Sequence, residues 1–182
     1  LLDTLSGIAD SYMSGTPNGI MMDTESGLIF SPSHFSWMDT NFPAGTPRQG
    51  YPIEIQALWY AALSLLADKT KSRKWDETRK RVVSSVMKYY KVRDSITGEF
   101  EWLSDCLHAI PGVSAAHAKK DDHLRPNQLL AVTLGLVEDY ELKKGILRAC
   151  SELIVPGAIR SLADRNVEFE NPVRDGSGKL LN

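Results

Sequence analysis

Between Ile53 and Leu66 apolar side chains leave no side of a helix polar: Ile53, Ile55, Ala57, Leu58, Trp59, Tyr60, Ala61, Ala62, Leu63, Leu65 and Leu66. A helix without a wet face has to be enclosed by protein. The pattern predicts this helix from Tyr51-Pro52 to about Asp68, with Pro52 in the first helical position, where its missing N–H costs nothing. The next segment, from Ser72 to about Arg93, reads differently. Trp75, Val82, Val83, Val86, Tyr89 and Tyr90 fall on one stripe, and charged residues from Lys74 to Lys91 fill much of the rest. The same order then returns. Residues 128–137 (QLLAVTLGLV) follow Pro126 and are apolar all round, and residues 139–154 are amphipathic through Leu142, Ile146, Leu147, Cys150 and Leu153. An inner helix followed by an outer one, twice, predicts an all-α chain built as part of a double-layered helical ring, an α/α toroid. In a four-helix bundle each helix would keep a wet stripe. No βαβ rhythm is visible, which argues against an α/β fold.

Ahead of these pairs, residues 1–13 read as a helix ended by Ser14-Gly15-Thr16-Pro17. Residues 16–50 form a long Gly-, Pro- and Ser-rich loop with short strand-like pieces near Ile20–Met22 and Leu28–Phe30. Loops of that length in a compact domain are usually functional. Two paired blocks, 51–95 and 121–155, and a polar tail over 166–182 complete a single 182-residue unit. The chain opens without Met and stops just after a polar stretch, so both ends read as cut from something longer. Its formal net charge of −2 offers no field for nucleic acid, and the basic stretch 69–91 reads as a solvated helix face. No apolar run reaches the roughly 20 residues of a membrane-spanning helix. Cys106 and Cys150 are too few for a disulfide framework and suit a reducing, cytoplasmic setting. The spacing of Cys106, His108, His117 and His123 matches no structural zinc pattern, so neither metal nor cofactor is expected.

Polar residues gather immediately before each inner helix: Ser36-Trp37-Met38-Asp39-Thr40 and Thr46-Pro47-Arg48 before the first, Asp121-Asp122-His123-Leu124-Arg125 and Asn127-Gln128 before the second. Side-by-side inner helices bring these segments to one end of the ring, where helix N-termini offer free N–H groups. Carboxylates, guanidinium groups, amides and aromatic faces together suit a sugar, whose ring has an apolar C–H side and a rim of hydroxyls. Glu54 is either an acid that favours the helix dipole in the first turn or a site residue. Asp39, taken alone, reads as a turn or N-cap acid.

The stretches His34-Phe35-Ser36-Trp37-Met38-Asp39, Gly45-Thr46-Pro47-Arg48 and Pro52-Ile53-Glu54-Ile55-Gln56-Ala57-Leu58-Trp59-Tyr60, followed by Leu124-Arg125-Pro126-Asn127-Gln128-Leu129-Leu130-Ala131-Val132, resemble the C-terminal glucosidase domain of glycogen-debranching enzymes. The family reads approximately TWMDA, TPR, PVEINALWY and RPNQLLAV. Here Ser36 stands for Thr, Thr40 for Ala, Ile53 for Val and Gln56 for Asn, and no carboxylate is lost. The resemblance implies a six-hairpin (α/α)6 toroid that removes α-1,6-linked glucose stubs at branch points of glycogen or a similar branched α-glucan. It implies inversion, with two carboxyl groups roughly 6.5–9.5 Å apart. Asp39 is the implied general acid, its pKa raised by burial beside Trp37. Trp37, Arg48, Glu54, Trp59, Arg125, Asn127 and Gln128 are the implied substrate-binding or site-shaping residues. A full toroid has about twelve helices, against roughly four or five read here from periodicity. The family continues past the equivalent of Asn182 into a His-Asn-Gly-Thr-x-Trp type stretch and further helices, and the resemblance implies a general base somewhere in that later part. Open ring edges are then expected to pair with another copy, and a carbohydrate-binding or scaffolding role without catalysis stands as the alternative.

Overall fold

Pro52 cannot donate a ladder hydrogen bond and already holds a helical φ, so it sits where a strand hands over to a helix. In the computed structural model, which describes residues 1–38, 48–93 and 98–165, that handover is immediate. Helix α1 (Leu2–Ser14) leads to the ribbon of β1 (Met21–Met22) and β2 (Ile29–Phe30). Strand β3 (Gly50–Pro52) then runs directly into α2 (Ile53–Thr70), followed by α3 (Arg73–Tyr89). A hairpin of β4 (Lys91–Arg93) and β5 (Phe100–Leu103) comes next, then β6 (Cys106–His108), β7 (Lys119–Asp121), α4 (Leu129–Thr133), α5 (Tyr140–Ser151) and the small ribbon of β8 (Ile154–Val155) and β9 (Ala158–Ile159).

Five helices carry the core among the described residues, as expected of a helical chain, and small antiparallel sheets that the all-α expectation did not include connect them. Strand β6 lies between β3 and β7, with Tyr51 opposite Leu107 and Leu107 opposite Lys120. Gly50 is essential to this pairing. Its φ is 129°, and a Cβ there would come within 2.1 Å of the Leu107 carbonyl oxygen.

The core runs between α2 and α3 and on to α5, through Leu63, Leu66, Val82, Val86, Leu142 and Ile146, all buried. Helix α3 stops at Tyr89 rather than at Arg93. Tyr90 turns inward, and its hydroxyl donates to the Tyr51 carbonyl at 2.6 Å, while Lys91–Arg93 leave to pair with β5. The second inner helix is also shorter than its apolar run suggests. A 3₁₀ turn over Pro126–Gln128 precedes α4, and Gly135, at φ 78°, ends the helical path. Leu136 and Val137 are then buried outside any helix. Nor is α2 enclosed on every side. Leu58 and Leu65 remain 52% and 45% exposed, beside a groove of about 370 Å³ walled by Leu5, Ile8 and Tyr12 of α1. No helix of the described residues is long and apolar enough to cross a membrane.

Candidate functional site

Arg48 enters β3 with a left-handed backbone, φ 48°, unusual for a residue with a Cβ. This turns its side chain into the protein, where it is 1% exposed. There it meets Glu54 in the first turn of α2, its Nη1 and Nη2 donating to the two carboxylate oxygens at 2.5 and 2.7 Å. The Nε donates to Asp105 Oδ2 at 2.9 Å, and Nη1 also donates to Ser36 Oγ at 2.9 Å. A planar guanidinium is the one side chain able to serve so many acceptors in fixed directions.

Asp105 is the residue that sequence patterns miss. It lies between β5 and β6, 2% exposed, and its main chain is fixed on both sides. The N–H donates to the Asp121 carbonyl at 2.8 Å, and the carbonyl accepts from Ile53 N at 3.0 Å, satisfying a free donor at the α2 N-terminus. Its carboxylate accepts from Arg48 and, at 2.6 Å, from Asn127 Nδ2, with Arg125 Nε 3.6 Å away. The only local signal is a Ser-Asp pair set between two apolar strand segments, Phe100–Leu103 and Cys106–His108, which marks a carboxylate carried inward.

Electrostatically the centre is two buried cations, Arg48 and Arg125, with two buried carboxylates, Glu54 and Asp105. Burial lifts the Asp105 carboxyl above the ordinary range. Arg48 and Arg125 pull it back only in part, and the Glu54 charge adds to the rise. Burial also works against the charge on Arg48, but the Glu54 hydrogen bond and the charges of Asp105 and Glu54 overcome it and raise its pKa. Among the described residues two polar atoms in this centre are buried without a hydrogen-bond partner, Asn127 Oδ1 and Arg125 Nε, the latter ion-paired with Asp105 at 3.6 Å.

Arg48, Glu54, Arg125, Asn127 and Gln128 are brought together, all buried. Arg48, Glu54 and Gln128 are held by hydrogen bonds within the protein. The Gln128 amide, for instance, accepts from Leu103 N at 2.8 Å and donates to the Arg125 carbonyl at 3.1 Å. Trp59, expected beside them, is buried at another place. Its indole N–H donates to the Gly27 carbonyl at 3.1 Å, and its ring meets Tyr12 edge-on. The reason is angular, since five residues along a helix turn Trp59 well away from the face of Glu54. Trp37 is 63% exposed, between Ser36, bonded to Arg48, and Met38, whose sulfur accepts from Asn127 Nδ2 at 3.0 Å. Asp39, the expected general acid, lies outside the described residues, as do 94–97 and the tail 166–182.

Alongside, Asp121 on β7 holds two histidines, His108 Nε2 at 3.2 Å and His123 Nδ1 at 2.5 Å. Burial acts to raise its pKa, but these two bonds hold the carboxyl far below the ordinary range, and the bond from Asp121 raises His123. Among the described residues no three His, Cys, Asp or Glu side chains are arranged to hold a metal ion. Both thiols are free and buried, and burial pushes Cys150 up to about 11.

Compared with known proteins, the sequence profile of a family described as amylo-alpha-1,6-glucosidase matches residues 1–178. No curated protein matches the chain.

Proposed function

The chain belongs to the amylo-α-1,6-glucosidase family, a glycoside hydrolase-type domain, and on that premise we propose that it carries the acid side of a site that removes α-1,6-linked glucose stubs from branched α-glucans such as glycogen. Asp39 protonates the departing glycosidic oxygen, and a second carboxylate activates water for inversion. The observation that carries this reading is the anchoring of the residues just before Asp39. Ser36 is bonded to Arg48, and Met38 is buried against Asn127. Between them Trp37 offers an open aromatic face for the C–H side of a glucose ring. Among the described residues Asn127 Oδ1 has no hydrogen-bond partner, an acceptor of the kind that suits a hydroxyl group.

In this reading α2 is an inner helix of an (α/α)6 toroid, and the exposed Leu58 and Leu65 face a further helix of the ring. Two buried free thiols fit a reducing cytoplasm. Glucose release from a branched limit dextrin tests the acid role. Asp39→Asn should lower it by about 10²–10⁴-fold, with far-UV circular dichroism unchanged, and undiminished release would remove Asp39 from the role.

A binding role without hydrolysis is favoured by one specific observation. Glu54 and Asp105, the buried carboxylates beside this loop, are both committed to Arg48, so neither is open to activate water. Retained limit-dextrin binding with no glucose release from the unmodified protein would select that reading.

A further inference from the structure

On the surface, four cations from three elements face one hollow of about 440 Å³: Lys88 at the end of α3, Lys91 and Arg93 on β4, and Lys120 on β7. Phe100 forms part of its wall, and among the described residues Asp122 is the sole carboxylate lining it. We propose that this hollow binds the phosphate group of a small molecule.

The cations are held in place by groups that do not neutralise them. The Lys91 ammonium lies 4.0 Å from the centre of the Phe100 ring, and the Arg93 guanidinium lies 3.9 Å from it. Arg93 Nη1 donates to the Gly98 carbonyl at 2.9 Å, and Lys120 Nζ donates to the Lys91 carbonyl at 3.0 Å. Ring faces and carbonyl oxygens orient a cation without cancelling its charge. Among the described residues none of the four pairs with a carboxylate, whereas Arg79 and Lys80, earlier in the same helix, share Asp76. Asp122 accepts from Ser104 Oγ at 2.5 Å.

Like charges gathered this way repel, and the repulsion is relieved by an anion that meets several of them at once. A phosphate monoester carries a charge of about −1.5 to −2 at neutral pH and three strong acceptor oxygens. The Arg fork and the lysine ammonium groups are its usual partners. The hollow falls in the range of small-molecule sites, about 300–1,000 Å³. It shares no residue with the Arg48 centre, so the inference stands whatever the fate of the glucosidase reading.

Isothermal titration with inorganic phosphate, glucose 6-phosphate and tripolyphosphate, at low and at physiological salt, tests it. Saturable binding at one site per chain is expected, weakening as salt rises. Arg93→Glu and Lys120→Glu alter exposed side chains and should each weaken binding by about tenfold or more. Lys69→Glu makes the same change in net charge elsewhere and should leave binding within about twofold. Tightest binding of glucose 6-phosphate supports a sugar monoester as the natural class, and tightest binding of tripolyphosphate supports a polyphosphate chain. Absence of saturable binding with all three probes overturns the proposal, and so does a loss in Lys69→Glu as large as that in Lys120→Glu.

Discussion

Neutralising Glu54 leaves the buried Arg48 guanidinium facing only part of the negative charge that holds it, with Arg125 close by. Breaking a buried ion pair from one side typically costs about 3–5 kcal/mol, so Glu54→Gln should lower the unfolding free energy by about that amount in urea denaturation. Glu54 stands out in the sequence as a lone acid opening an apolar helix. Its pairing with Arg48 does not, because Arg48 reaches inward only through a left-handed backbone that neighbouring residues do not specify. Asp121 and His123 make a second prediction. Asp121, its pKa depressed, stabilises the fold above its unfolded value of about 3.9 and loses that contribution as pH falls through the folded value. His123, raised by the Asp121 bond, stabilises below its unfolded value of about 6.5 and loses the contribution as pH rises through its folded value. Together they contribute most between about pH 4 and 6.5. The urea midpoint should fall from pH 6 to pH 8.5, and His123→Gln should flatten that fall.

Among the elements, α5 rests on the β4–β5 hairpin through Gly145, where a Cβ would stand 2.9 Å from the carbonyl oxygens of both Phe100 and Glu101. Helix propensity alone favours alanine over glycine by about 1 kcal/mol. The backbone contact should reverse that sign, with Gly145→Ala costing about 1–3 kcal/mol by overpacking, read as a lower thermal midpoint. Helices α1, α2, α3 and α5 are all legible from apolar spacing, as are the strand-like pieces that become β1 and β2. The end of α3 and the shortness of α4 are not. Tyr90 leaves its helix for a carbonyl on β3, and β4 forms because β5 is there to pair with it. Apolar content cannot distinguish a full helix from a single turn followed by buried coil, which is what Gly135 imposes after α4.

For the molecule as a whole, the groove between α1 and α2 leaves apolar surface open along Leu58 and Leu65, and such surface tends to find a partner. Self-association of this chain at high concentration is expected, and Leu58→Lys with Leu65→Lys should abolish it in sedimentation velocity while leaving circular dichroism unchanged. Continued association of the double variant would place the contact elsewhere. Taken alone, the amino-acid order determined where most helices lie, which faces of α3 and α5 are wet, and that polar segments precede the two apolar runs. Each of those depends on neighbours three or four residues apart. Tertiary structure decided that Asp105 meets Arg48, that Trp59 turns into the core, and that Lys120 joins Lys91 and Arg93. These contacts join residues far apart in the chain, and they exist because burial of the α2, α3 and α5 faces draws those segments together. The stretch from Trp37 to Glu54 reads in the sequence as one polar approach to a helix. Folding separates an open aromatic at Trp37 from a buried ion pair of Arg48 and Glu54, because a guanidinium and a carboxylate leave water at least cost in one another's company.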